Sequence, residues 1–406
     1  MHSRGSNLPR VGDYNQMVVL DLIRRHPGIS RIELTERTGL TAQTLSNIAR
    51  KLLDTGLVRD AGRRAGGPGA PRARLEVDPD GCLAVGVLID PARISTVLLD
   101  LGGNVRLRSE IGIAKISSSR QLIDTISGDV ERMLSEADVP AARVNGIGLA
   151  SPGPVDTERG LVLAPPNLRT ISVVELRNAV ERRLGVPVIL EKDTIAVATG
   201  EHWARGTESE NFVYLYLGTG VGAGIVLGGQ VQRGRSSNLG EIAHIGGDPD
   251  GPICPSCGNR GCLGSVAEPR HLVRRAAELG EIAPVEDGDV LAVERALAQV
   301  CERAEDPTTD AYRIVERSAQ AFGRVAANLA NALDLDTVVF GGHNWSPLSR
   351  IFMAIVPDVV HDQQVVREMG SVLVHESALG EDAGPVGAAS LVLSQHASGR
   401  VSDLLL

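Results

Sequence analysis

Apolar positions recur along this chain with two different spacings, and the switch falls near residue 80. From Asn15, the apolar residues Val18, Val19, Leu22 and Ile23 follow one face of a helix that His26-Pro27-Gly28 ends. Ser30 and Glu33 then have the spacing of a capping box, in which hydroxyl and carboxylate satisfy free amides at a helix start. Gly39 stops this second helix, since glycine takes the left-handed conformation a tight turn needs. Thr41 caps a third helix reaching about Leu53, with Leu45, Ile48 and Leu52 on its apolar face. Its polar face holds Gln43, Asn47, Arg50 and Lys51, with Thr44 near the entrance. An extended segment from Gly56 runs through the Gly/Pro/Arg loop AGRRAGGPGAPRARLEV and back into a strand.

Beyond Gly81 the spacing changes to short, almost wholly apolar runs. LAVGVLIDPARISTVLLDLGGNV reads as two buried strands closed by a hairpin at Gly102-Gly103. A helix over 119–137 leads to a strand at 144–150, and a helix near 173–184 leads to a strand at 186–190. A helix through Glu201 follows, then a strand at 211–217 opening into the glycine-rich stretch 218–224. Helical pattern covers 271–305 with a break at Pro284, then 311–333; a strand at 336–340 ends in Gly341-Gly342. A small-residue helix begins at Gly384 and is expected to pack back on the body. Strands alternating with helices predict an α/β body.

Charge sharpens the division. Residues 1–82 hold 13 Arg/Lys against 9 Asp/Glu, or +4, which leaves −13 for the rest of a chain whose total is −9. A basic head on an acidic body predicts that only the head meets a polyanion. The head's pattern is that of a helix-turn-helix, with a basic hairpin wing behind it. Gln43 and Asn47 suit adenine edges, and Arg50 and Lys51 suit guanine or phosphate; Arg63 and Arg64 of the wing suit a minor groove. A plain helical bundle with a solvated polar face is the alternative for the helices alone. No apolar run approaches the roughly 18 residues of a membrane span, and the start lacks the apolar region of a signal peptide, so a cytoplasmic protein is expected.

Three of the five cysteines fall within nine residues, at Cys254, Cys257 and Cys262, and His244 lies ten residues before the first. One imidazole and three thiolates are a ligand set that closes a tetrahedral structural zinc site, with Gly258 and Gly261 turning the backbone between them. Buried thiols or a disulfide are the alternatives. Cys82 and Cys301 are expected to be buried thiols. Asp193 follows a strand's carboxyl end, where α/β sheets place ligand chemistry, although on the residue alone a helix N-cap is the preferred reading. The glycines at 218–224 let amides approach phosphates, or serve packing alone.

The stretch Gly240-Glu241-Ile242-Ala243-His244, with its cysteine cluster ending Cys257-Gly258-Asn259-Arg260-Gly261-Cys262-Leu263, resembles the signature of the ROK family of repressors and sugar kinases. The resemblance spans nearly the whole chain and implies a winged helix-turn-helix head followed by an α/β, two-lobed actin/hexokinase-like body. It implies zinc at His244, Cys254, Cys257 and Cys262, and sugar contacts from Glu241 and His244. Asp193 matches the position of the kinases' general base. Five departures stand out. Cys254 and Cys257 are one residue further apart than the family's first pair. Lys192 and Ile195 replace two asparagines around Asp193. Gly264 replaces a sugar-binding glutamate. The kinases' Asp-x-Gly-Gly-Thr phosphate turn reads Asp90-Pro91-Ala92-Arg93, and the wing's Arg-Gly-Arg-Pro has become Pro68-Gly69-Ala70-Pro71.

The reading that follows is an arm at 1–12, a DNA-binding domain at 13–80, and a ligand-binding body at 81–406 with lobes near 81–200 and 201–406. The expected function is a sugar-responsive transcriptional regulator, a repressor rather than a kinase, without catalytic activity. It is expected to bind a palindromic double-stranded operator as a homodimer or higher homo-oligomer. An ATP-dependent sugar kinase that keeps a DNA-binding head is the alternative, and a ligand-free scaffold a third. An inward Lys192 would favour an anionic sugar derivative; a Lys192 turned to solvent, or paired with Glu191 or Asp193, would only close a dead site.

Overall fold

Local signals build the head. In the computed structural model, which describes residues 8–64, 72–113, 116–164, 173–206, 210–286, 288–366 and 370–397, the head comprises α1 (Leu8–Arg25), β1 (Ile29–Ser30), α2 (Arg31–Thr38), α3 (Ala42–Asp54), β2 (Val58–Arg64) and β3 (Arg72–Val77). The capping box forms: the Glu33 amide donates to Ser30 Oγ at 3.3 Å, and the Ser30 amide donates to Glu33 Oε2 at 2.8 Å. Gly39 closes α2 with φ 66°, and Thr41 caps α3 by accepting from the Thr44 amide at 3.2 Å. Strands β2 and β3 pair antiparallel from Val58↔Val77 to Arg64↔Arg72, and β1 joins the far side of β3. The loop tip with Pro68-Gly69-Ala70-Pro71 lies outside the described residues. Helix α1 starts at Leu8, inside the segment expected to be an arm, because Pro9 in a first helical turn removes an amide that has no partner anyway.

The first lobe follows as β4 (Leu83–Ile89), β5 (Arg93–Asp100), β6 (Val105–Gly112), α4 (Ser119–Glu136), β7 (Val144–Ser151), the short β8 (Val155–Asp156), β9 (Leu161–Leu163) and β10 (Val173–Val174), α5 (Leu176–Leu184), β11 (Val188–Lys192) and α6 (Asp193–Arg205). The second has β12 (Phe212–Leu217), β13 (Val221–Leu227), β14 (Gln230–Val231), α7 (Leu263–Ala267), α8 (Pro269–Glu278), α9 (Val290–Arg303), α10 (Asp310–Leu333), β15 (Thr337–Gly341), α11 (Ser349–Gln363), β16 (Leu373–Glu376) and α12 (Ala383–Ala397). Two five-stranded sheets result, ordered β11-β7-β4-β5-β6 and β14-β13-β12-β15-β16. Parallel β7–β4 and β12–β15 pairs, each flanked by an antiparallel hairpin, give the two sheets similar plans. Strand β11 begins two residues later than the apolar run predicts, since Pro187 has no amide for the ladder; the shift puts Lys192 at the strand's end.

The C-terminal helix decides the assembly. Although it follows the second lobe in sequence, α12 lies against β4, β7 and α6 of the first. The contact is backbone to backbone: a Cβ on Gly86 would meet Pro385 O at 1.9 Å, one on Gly148 Ala388 O at 1.8 Å, and one on Gly387 Ala196 O at 2.0 Å. The same helix extends the head's core. Val19, Leu20, Ile23 and Leu75 share one apolar cluster with Ala84, Val97 and Leu99 of the first lobe and Val386, Ala389 and Val392 of α12. Above it, Arg24 lies 4.4 Å over the Trp203 ring and donates to Trp203 O, while Arg25 Nη1 donates to Arg205 O at 2.6 Å. Cys82 and Cys301 are buried thiols, each pushed up to about 12 by burial.

Gly148→Ala should lower stability by about 1–3 kcal/mol or more through overpacking against α12. Gly112→Ala, with nothing within 4 Å of its Cβ, should be neutral. Thermal denaturation of the two variants side by side checks this; equal melting temperatures would contradict the packing account.

Candidate functional site

The head presents one polar helix face. Leu45, Ala49 and Leu52 of α3 are buried and Ile48 half-buried, while Thr41, Gln43, Asn47, Arg50 and Lys51 are exposed and Thr44 half-exposed. Gln43 Nε2 donates to Asn47 Oδ1 at 3.3 Å, which holds the two amides together one turn apart. Arg63 and Arg64 end β2; their side chains lie outside the described part.

A second polar group forms where β11 meets α6. Lys192 is 2% exposed and points inward, so neither a solvent-facing lysine nor a Glu191 or Asp193 partner describes it. Its ammonium pairs with Glu241 and donates to Leu239 O at 3.1 Å. Glu191 instead binds Arg233 at 2.7 Å. Asp193 is the first residue of α6, not its cap, and accepts from the Thr194 amide at 2.7 Å. Desolvation pushes Asp193 up to about 6; Lys192 and the Thr194 amide pull it down, and Glu241 and Asp90 push it further up. Gly153 and Asn238 complete the wall: a Cβ at Gly153 would lie 3.0 Å from Asn238 Oδ1 and 3.4 Å from Lys192 Cε.

One carboxylate here escaped the sequence reading. A Cβ on Gly264 would stand 2.8 Å from Glu268 Oε1 and 3.3 Å from the Cβ of Ala243, between Glu241 and His244. Glu268 therefore fills the space of the side chain that Gly264 lacks. It is buried, which raises its pKa, while Arg270 at 2.6 Å and nearby His244 favour its charge. The signal was the spacing of four residues, which puts positions 264 and 268 on one helical face.

His244, Cys254, Cys257 and Cys262 converge, with their four ligand atoms within 4.8 Å of one another. Cys254 Sγ lies 3.6 Å from His244 Nδ1, and Cys257 Sγ 3.4 Å from Cys262 Sγ; all the cysteines are free, which removes the disulfide alternative. Burial opposes ionisation of Cys254, but the Cys257 and Ser256 amides donate to its sulfur and hold it at about 7. Gly258 and Gly261 have φ of 75° and 67°, so the wider Cys254–Cys257 spacing still closes on one point. These side chains could hold one metal ion.

The profile of the ROK family matches residues 84–395, and that of the MarR family matches residues 7–65. The chain belongs to the ROK family. Its N-terminal domain is of the MarR-type winged-helix kind. It is 26% identical over 389 residues to the xylose repressor of Caldicellulosiruptor bescii, covering 95% of this chain and 96% of that one. A glucokinase of Thermotoga maritima is 30% identical over 311 residues, 74% of this chain and 98% of the enzyme. The crystal structure of a ROK family transcriptional regulator, a homologue of the E. coli Mlc protein, matches with TM-score 0.75 at 25% identity, covering 96% of this chain and 98% of that one.

In this ROK chain the turn at Asp90 is closed on itself. The Ala92 amide donates to Asp90 Oδ1 at 2.8 Å, and the Asp90 carboxylate accepts from Thr219 Oγ1 at 3.3 Å across the cleft. Gly222 and Gly224 are packing glycines: Cβ atoms there would meet Thr194 Cγ2 at 2.7 Å and Thr194 O at 2.3 Å.

Because folding raises the pKa of Asp193, its neutral form is the favoured one. The resulting stabilisation is complete below the ordinary carboxylate range, near 3.8, and disappears as pH rises through about 6. Asp193→Asn should match wild type at pH 4 and be more stable by about 2 kcal/mol at pH 7. Urea denaturation at the two pH values checks the sign.

Proposed function

We propose that this ROK protein is a sugar-responsive transcriptional repressor that binds operator DNA as a homodimer. The observation that carries the reading is the continuous core joining a winged helix, its polar α3 face exposed, to a sugar-kinase-like body. The length of the match to a xylose repressor supports it, since the glucokinase match covers only 74% of this chain. The effector pocket would be walled by Lys192, Asp193, Glu241, His244 and Glu268. Zinc at His244, Cys254, Cys257 and Cys262 would hold the strand-poor segment that carries Glu241. No helix among the described residues is long and apolar enough to cross a membrane.

Helix α6 offers the physical link between effector and operator. Its 13 residues, about 20 Å long, start at Asp193 and end where Arg24 and Arg25 of α1 grip the carbonyls of Trp203 and Arg205. Two guanidinium groups at a helix C-terminus also meet the negative end of its dipole. A sugar that shifts α6 would therefore tilt the head, and a dimer matched to two half-sites tolerates little tilt.

A sugar kinase is the second reading. It is favoured by Asp193, whose pKa near 6 suits a general base. Against it, the Ala92 amide is already taken by Asp90, and Pro91 has no amide for a phosphate. Incubation with ATP and D-xylose or D-glucose should give no phosphorylated sugar.

The operator test uses duplexes selected from a random pool by the full-length protein. Asn47→Ala should relax preference at one base position by about 1–3 kcal/mol. Arg63→Ala should weaken binding to all sequences and flatten its salt dependence. Selection that yields no shared sequence would end the reading.

The effector is expected to be neutral. The Lys192 ammonium is already paired with Glu241, and Glu268 places a carboxylate beside Gly264 and His244. Calorimetry with D-glucose and D-glucose 6-phosphate should show the phosphate binding at least about tenfold more weakly, a difference of roughly 1.4 kcal/mol. Tighter binding of the phosphate would restore the anionic effector.

A further inference from the structure

We propose a second metal site, for a divalent transition-metal ion of the zinc or manganese kind, held between the lobes by Asp90, Glu294 and His343. Asp90 follows β4 of the first lobe; Glu294 on α9 and His343 after β15 belong to the second. Each offers one ligand atom, and these lie within 4.8 Å of one another. His343 Nε2 is 3.2 Å from Glu294 Oε1 and 3.6 Å from Asp90 Oδ2. Two donors each about 2.1 Å from a tetrahedral ion stand about 3.4 Å apart, so the spacing already fits a shared ion.

The site is built rather than incidental. The His343 side chain is 10% exposed and that of Asp90 7%. His343 Nε2 and Glu294 Oε1 are both buried and face each other at 3.2 Å without an aligned hydrogen bond, an arrangement that an ion bound to both would satisfy. The other edges of the same groups are occupied. Tyr216 Oη faces His343 Nδ1 at 3.3 Å, fixing the ring so that Nε2 points inward. Arg93 takes Glu294 Oε2, and Arg93 Nη1 lies 3.8 Å from Glu110, leaving Glu294 Oε1 for the centre. Asp90 Oδ1 accepts from the Ala92 amide at 2.8 Å. With the imidazole neutral, as a metal ligand must be, two carboxylates against one guanidinium leave the buried cluster short of positive charge, which a dication supplies. The ligand set suits zinc or manganese, since imidazole and carboxylate together exclude the soft, thiolate-seeking ions.

Such an ion would strap the lobes together. The rival occupant is a proton on Nε2, which makes the same centre an imidazolium ion pair. Zinc-loaded full-length protein titrated with MnCl2, followed by the free-ion electron paramagnetic resonance signal, separates the two. The cysteine site does not compete for manganese, because thiolates select softer ions. One equivalent of manganese should be bound. His343→Gln and Glu294→Gln should each weaken it by at least about tenfold, as loss of a ligand cannot matter less than loss of an outer contact. Circular dichroism of both variants checks that they fold. Wild type that binds no manganese, and carries only the zinc of the cysteine site, overturns the proposal. Manganese binding that survives both substitutions overturns it as well.

Discussion

Backbone-to-backbone contact between α12 and the first lobe is the constraint on which the rest of the protein depends. Gly86, Gly148 and Gly387 allow approaches that a single methyl group would block. Through them the last helix of the chain becomes the middle layer of the first lobe, lying on β4, β7 and α6 together. The same helix supplies Val386, Ala389 and Val392 to the core beneath the head. Head, first lobe and the helix that begins at Asp193 thus form one packed body. Packed interiors transmit displacement because they have few voids to absorb it. The joint between head and body is therefore a matter of packing, with no flexible linker needed among the described residues.

Electrostatics inside the cleft organises two groups of side chains. Kinase chemistry needs free amides and a flexible turn around the transferring phosphate. Here the Asp90 turn spends its amide on its own carboxylate, and Arg93, Glu294 and His343 fill the space across from it. Around Lys192 the arrangement is different in kind. Lys192 buries an ammonium, which is tolerable only because Glu241 and two backbone carbonyls receive it. Glu268 places a carboxylate where a side chain on Gly264 would stand. The Asp90 turn is closed by its own hydrogen bond, and the Lys192 group is closed by a buried ion pair.

The cysteine cluster behaves as a local unit. Its ligands come from within nineteen residues, from His244 to Cys262, and two left-handed glycines with the Cys254 amide turn do the positioning. The Asp90–Glu294–His343 group is the opposite case, drawn from three distant segments and meaningful only when the lobes are together. The first would order a segment; the second would hold a closure.

Legibility in the sequence follows the same division between local and distant. The capping box at Ser30, the turn at Gly39, the two faces of α3 and the convergence of His244 with three cysteines were all readable, because each is decided within a few residues by helix geometry or backbone turns. The alternation of apolar runs likewise determined an α/β body with its strands in nearly the observed places. What only the tertiary structure decided are the pairings between residues far apart in sequence. Lys192 meets Glu241 across 49 positions, Asp90 meets Thr219 across 129, and Arg25 meets Arg205 across 180. No periodicity encodes such partners, since a long side chain takes whichever charge the packing brings to it. Gly264 looked like the loss of a ligand contact for this reason: the sequence shows the missing side chain, and only the fold shows that Glu268 stands in its place.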